Sequence, residues 1–190
     1  MLRPYFLYHR ELLGELCRAA YDTVKELMAV AVQDIEIRPG MVAVIQTFAD
    51  SLKFSPHIHA LVARGCWTAD GRWIPVPYVN ARTAEVLFRH KVFKILKKHG
   101  LLSDERIELL MSWKRTGFSV DNSVTVYPSD TAGLERLARY MLRSPVSLQR
   151  LHYLPETRAG PLPSQKRTRP GTFRDHRSHG VCSTSAHARS

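Results

Sequence analysis

The chain has 190 residues, of which 44% are hydrophobic, so it can bury a core and wholesale disorder is excluded. Its 28 Lys and Arg against 17 Asp and Glu give a net charge of +11, which favours a polyanionic partner, nucleic acid before an anionic membrane. No apolar run spans a bilayer, the charged N-terminus is no signal peptide, and three scattered cysteines form neither a zinc ribbon nor a disulfide scaffold, so a reducing cytoplasm is the default.

In chain order, Leu12, Leu13, Leu16, Ala20, Val24, Leu27 and Met28 recur at helical spacing and predict an amphipathic helix over 9–30. Pro39-Gly40 breaks the chain before a β-branched strand, Met41 to Phe48. A second strand, His57 to Ala63, follows Pro56 and is expected to pair antiparallel with the first. Trp73 to Val79 is a candidate edge strand, because Pro75 and Pro77 cannot sit in the middle of a sheet. The stripe Ala84, Phe88, Val92, Ile95 and Leu96 predicts a helix over 81–99, ended by Gly100. Ser103 caps another helix, with Asp104 and Glu105 in its first turn and Lys114-Arg115 in its last. Phe118 to Tyr127 reads as a strand and Asp130 to Arg143 as a closing helix, ended by Pro145. The class is α+β, an antiparallel sheet with flanking helices.

Beyond residue 155 the composition changes. Between Glu156 and Ser190 the large apolar side chains are Leu162, Phe173 and Val181, among many Arg, Ser, Pro and Gly. Such a segment buries too little to offset its ordering entropy, so 1–155 is read as the folded part and 156–190 as a basic, disordered tail.

Three groups of residues could carry chemistry. His57-Ile58-His59 on a strand puts two imidazoles on one face, about 7 Å apart at Cα, with Ile58 turned into the core. Such a pair can converge on a metal if another element adds a third ligand, or can be two surface histidines. An Asp two residues after the second His would indicate a metallo-β-lactamase-like hydrolase, but that position is Leu61. On the closing helix, Leu134, Leu137, Ala138 and Met141 form the apolar stripe and Tyr140 flanks it. Arg136 and Arg143 lie four residues before and three after Tyr140, on its own face. A phenol beside two guanidiniums is arranged to meet a phosphate; a half-buried Tyr with solvated arginines is the alternative. On the helix over 81–99, Arg89, Lys94, Lys97 and Lys98 lie mostly off the apolar stripe, and could either track a DNA backbone or form a solvated face. No P-loop and no GxGxxG is present, so no nucleotide cofactor is indicated. Asp121 is an isolated acid.

The segments MVAVIQTFADSLKFSPHIHALVARGCW, GRWIPVPYVN, RHKVFKIL, GFSVDNSVTVYP and LERLARYMLRSPVSLQRLHY, in that order, resemble the transposases of rolling-circle insertion sequences. These form the insertion-sequence ninety-one group of the HUH (His-hydrophobic-His) endonuclease class. The resemblance implies an HUH-like fold in which His57 and His59 hold a divalent metal, Mg²⁺ or Mn²⁺. It makes Tyr140 the nucleophile on a DNA phosphodiester, and it offers Gln46, on the neighbouring strand, as the third ligand. The implied products are a 5′-phosphotyrosine and a free 3′-OH, and the implied partner is DNA, as single-stranded element ends, in a bacterial cytoplasm. Two-tyrosine members carry Tyr-x-x-x-Tyr, and here the first position is Arg136. Relatives begin with a cysteine-rich zinc-binding segment, so the chain is expected to be truncated at both ends, its tail an out-of-frame translation. A catalytically inactive basic DNA-binding remnant is the rival reading, and an HUH replication initiator or relaxase a nearer alternative.

Overall fold

Each long hydrophobic repeat in the chain becomes an element whose apolar side closes on the next. The computed structural model describes residues 2–49, 53–114 and 117–144, and the backbone of Val181–Ala188. Its helices are α1 (Arg3–Tyr8), α2 (Leu12–Val32), α3 (Ala81–Lys98), α4 (Asp104–Met111) and α5 (Thr131–Met141). Its strands are β1 (Arg38–Phe48), β2 (Phe54–Trp67), β3 (Trp73–Pro75), β4 (Phe118–Val126) and β5 (Val181–Ala188). The fold is α+β. The antiparallel sheet runs β1-β2-β5-β4, and β3 pairs with the far end of β2.

The core forms on one side of this sheet. Ile58, Ala60, Val62 and Cys66 of β2 project from the same face, two residues apart or a multiple of two, and join Leu12, Leu16 and Met28 of α2 and Phe88, Val92 and Leu96 of α3. Phe118 of β4 meets Phe88 and Phe93 edge-on, at 6.1 and 5.9 Å between centroids. Three helices start on side chains that accept a backbone N–H: Asn80 from Thr83, Ser103 from Arg106 and Asp130 from Gly133.

Several boundaries differ from those read in the sequence. The first helix starts at Leu12, and α1 precedes it as a two-turn element that buries Phe6, too short to show a periodicity. Pro39-Gly40 lies within β1 rather than before it. The strand is at the edge of the sheet, and a register shift between Pro39 and Met41 accommodates a residue with no N–H to donate. Strand β2 begins at Phe54, and Pro56 falls beside the second register shift, between Gln46 and Phe48. Helix α4 stops at Met111, so Lys114 lies beyond its last turn.

The tail expected to be disordered over 156–190 contains β5, which pairs with both β2 and β4. The segment VCSTSAHA has no Pro or Gly, so its backbone can pair on two sides although Val181 is its one large apolar residue. Residues 156–180 lie outside the described residues, as do 145–155.

Candidate active site

Because Ile58 turns into the core, its neighbours His57 and His59 must turn to the opposite face of β2, away from α2 and α3. Both are nevertheless buried, at 8% and 7% exposure, alongside α5, which comes to this second face. The two imidazoles meet edge-on, with centroids 4.8 Å apart. Tyr140, half-buried near the end of α5, places its ring 5.2 Å from His59, again edge-on at 77°. Residues 81 positions apart in sequence are thus brought to one spot by the pleat of a strand and the C-terminal turn of a helix.

The hydrogen bonds around the pair define its chemistry. Nδ1 of His57 is 2.7 Å from the Ser55 carbonyl oxygen. A carbonyl can only accept, so Nδ1 donates and the neutral ring keeps its lone pair on Nε2, the arrangement in which metal-binding histidines are held. Gln46 sits directly opposite His57 in the β1–β2 register and therefore on the same face. Its Nε2 donates to the Met141 carbonyl at 2.9 Å, which ties β1 to the end of the tyrosine helix and leaves Oε1 as the atom with lone pairs for a cation. Asp121 lies in the His59 row of the sheet, but two strands away, about 10 Å across. Its carboxylate accepts from the Ser123 N–H at 3.0 Å. Among the described residues no three His, Cys, Asp or Glu side chains cluster as a metal site. Two imidazoles, with an amide oxygen on the residue opposite one of them, are donors of a kind that can hold a divalent cation.

The rest of α5 is arranged less tightly than its stripe predicts. Met141 is buried and Leu134 and Leu137 are half-buried, whereas Ala138 is exposed. Arg136 is exposed and lies 3.9 Å from Asp130, the residue that caps the helix. Arg143 is exposed just past the helix end.

The basic helix occupies the other layer. Since α3 packs on the Ile58 face, Lys94, Lys97 and Lys98 lie across the sheet from the histidines. All three are exposed, but Lys97 is 2.6 Å from Asp104 and Lys98 is 3.3 Å from Glu15. Arg89 departs from the expectation of an outward-facing cation. It is 8% exposed on the core side of α3, between Phe88 and Val92, and its Nε has no hydrogen-bond partner among the described residues. Helical spacing placed it at the border of the apolar stripe, and its long apolar stem carries it inward.

The two cysteines among the described residues are poor nucleophiles. Burial raises the Cys66 thiol above its ordinary range, with the Asp34 carboxylate acting in the same direction, and burial likewise raises Cys17. Both therefore stay protonated and inert at neutral pH. The parts that pattern reading missed are the Ser55 carbonyl and the Gln46 link to Met141. Both depend on backbone carbonyls, which carry no residue signature.

One family model, described as “Putative transposase” (Y2_Tnp), matches residues 40–159, a span that holds His57, His59, Gln46 and Tyr140. No curated protein and no solved structure gives a significant match. No helix among the described residues is long and apolar enough to cross a membrane.

Proposed function

The chain belongs to this transposase family, and on that premise we propose that it nicks single-stranded DNA at element ends and transfers the strand through a phosphotyrosine at Tyr140. The observation that carries the reading is the convergence of His57, His59 and Tyr140 on one face of β2, with 5.2 Å between the His59 and Tyr140 rings. The finer assignment is to the rolling-circle, HUH-class branch, which the His-Ile-His strand and Tyr140, the one tyrosine of α5, support.

In the proposed reaction, Tyr140 Oη forms a bond to the scissile phosphorus and the bond from phosphorus to the 3′-oxygen breaks. The phenol gives up its proton and the departing 3′-oxygen gains one, so one phosphodiester replaces another and no triphosphate is consumed. In strand transfer a 3′-OH attacks the phosphotyrosine and releases the phenol. Tyr140 is held for this by the Gln46 bond to Met141 at the end of its helix. His57 Nε2, His59 and Gln46 Oε1 would hold Mg²⁺ or Mn²⁺, which supplies charge stabilisation at the phosphate oxygens when bound. With Arg136 where two-tyrosine relatives carry their other tyrosine, a single covalent link per chain is expected.

The test is a denaturing gel of the purified chain with labelled single-stranded oligonucleotides from the ends of the encoding element, with Mn²⁺ or Mg²⁺. A protein–DNA band is expected, lost in Tyr140→Phe and in the double variant His57→Ala/His59→Ala. The rival, a DNA-binding remnant without cutting, is favoured by the lack of a third His, Cys, Asp or Glu ligand among the described residues. Folded protein that binds the oligonucleotide yet gives no band would establish that rival.

A further inference from the structure

Two indoles stand in the open on the sheet face that carries the histidines. Trp67 and Trp73 are 49% and 38% exposed, and their rings meet edge-on with centroids 5.2 Å apart. Tryptophan is highly buried on average, so two exposed and adjacent need a reason. Register supplies their setting: Trp67 pairs with Arg38 of β1 on one side and with Trp73 of β3 on the other. A guanidinium and two indoles therefore line up across three strands. Cys66, beside Trp67, is fully buried in the core, so this row projects from the opposite face, the one to which His57 and His59 also turn. Arg38 is exposed and has no ion-pair partner among the described residues.

The row is also rigid. A Cβ on Gly65 would lie 2.6 Å from the Ile74 carbonyl oxygen and would meet the Trp73 ring, so the missing side chain lets the indole lie on the β2 backbone. The turn between the two tryptophans is held by Arg72 Nε donating to Asp70 at 2.6 Å, by the Thr68 hydroxyl donating to Asp70, and by the Thr68 N–H donating to the Arg72 carbonyl at 2.9 Å.

We propose that Arg38, Trp67 and Trp73 form a stacking platform for the bases of single-stranded DNA, with Arg38 meeting the backbone phosphate. Fixed aromatic faces beside an unpaired cation are what an unpaired strand, with exposed base faces and one charge per nucleotide, is complementary to. Eight residues separate Trp67 from His59, at most about 26 Å along β2, so the platform takes nucleotides several positions from the phosphate that is cut. The proposal rests on the DNA-cutting reading above and assigns it a second contact point.

The experiment uses the full chain with Trp113→Phe, so that emission comes from Trp67 and Trp73 alone. Titration with a single-stranded 20-mer is expected to quench this emission saturably, and the matching duplex is not. In the same background Trp67→Ala should weaken single-strand binding, read by anisotropy, about tenfold. Arg38→Ala should lower the slope of log affinity against log salt by about 0.7. Should Trp67→Ala unfold, Trp67→Phe keeps a ring in place, and the quenching of the unaltered pair still decides. Bound oligonucleotide without quenching, or undiminished affinity in folded Trp67→Ala, overturns the platform, as does quenching by self-association that DNA does not alter. If those results accompany a normal covalent band, only the platform fails. If no single-stranded oligonucleotide binds at all, the DNA-cutting reading fails with it.

Discussion

At the residue scale, Gln46 joins two tasks in one amide. Its nitrogen holds the Met141 carbonyl at 2.9 Å, and its oxygen is the proposed third donor beside His57 and His59. The two can be separated experimentally. Gln46→Ala is expected to cost about 1 kcal/mol of stability, the value of one partly buried hydrogen bond. It should also raise the Mn²⁺ concentration needed for half-maximal covalent band by tenfold or more. A metal titration that leaves the half-maximal point unmoved while thermal stability falls would reduce Gln46 to an anchor. The histidines and the tyrosine were legible in the sequence because strand parity and a specific motif order mark them. The Gln46–Met141 bond was not, because its acceptor is a carbonyl that every residue possesses. Arg89 misled for a related reason: helical spacing gives an angle around α3, and a long stem at the border of the stripe can go either way.

Elements tell a similar story through their boundaries. Strand existence and pairing of β1 with β2 followed from β-branched runs, yet both strands extend through the prolines that seemed to end them, because edge position and register shifts absorb the missing N–H groups. The β2–β3 hairpin allows two tests. Gly65→Ala is expected to destabilise the chain by about 1–3 kcal/mol, since the added methyl must displace either a backbone carbonyl or a packed indole; a denaturant melt checks it. The second test concerns pH. Asp70 is pushed down to about 2, chiefly by the Thr68 hydroxyl and then by Arg72. A carboxyl with a depressed folded value contributes stability that is complete above its ordinary value near 3.8 and is lost as pH falls towards about 2. Tryptophan emission of the Trp113→Phe protein should therefore change over that acid window as the turn loosens. Adding Asp70→Asn should shift the loosened signal to neutral pH and flatten the profile, and an unchanged acid transition in that variant would remove Asp70 as its cause.

Across the whole molecule the sheet separates the candidate site from the basic helix. The His57–Tyr140 face carries the specific geometry, and α3, on the opposite layer, carries lysines 94, 97 and 98. A net charge of +11 attracts any polyanion, but each lysine contributes only what its own ion pairs leave over. Lys97 is bound to Asp104 and Lys98 to Glu15, whose carboxyl is lowered first by the hydrogen bond from His99 and further by Lys98. Lys94 has no ion-pair partner among the described residues. If α3 touches DNA, its effect must then be graded: Lys94→Ala should reduce the salt slope of single-strand binding by about 0.7, and Lys97→Ala or Lys98→Ala by less, because each is already partly neutralised by its own carboxylate. The covalent band at saturating oligonucleotide should be unchanged in all three, since none reaches the face where Tyr140 and the histidines meet. Equal losses of slope in the three variants would mean that the ion pairs open on binding, and a lost band at saturation would mean that the strand wraps from α3 round to the face that carries Tyr140.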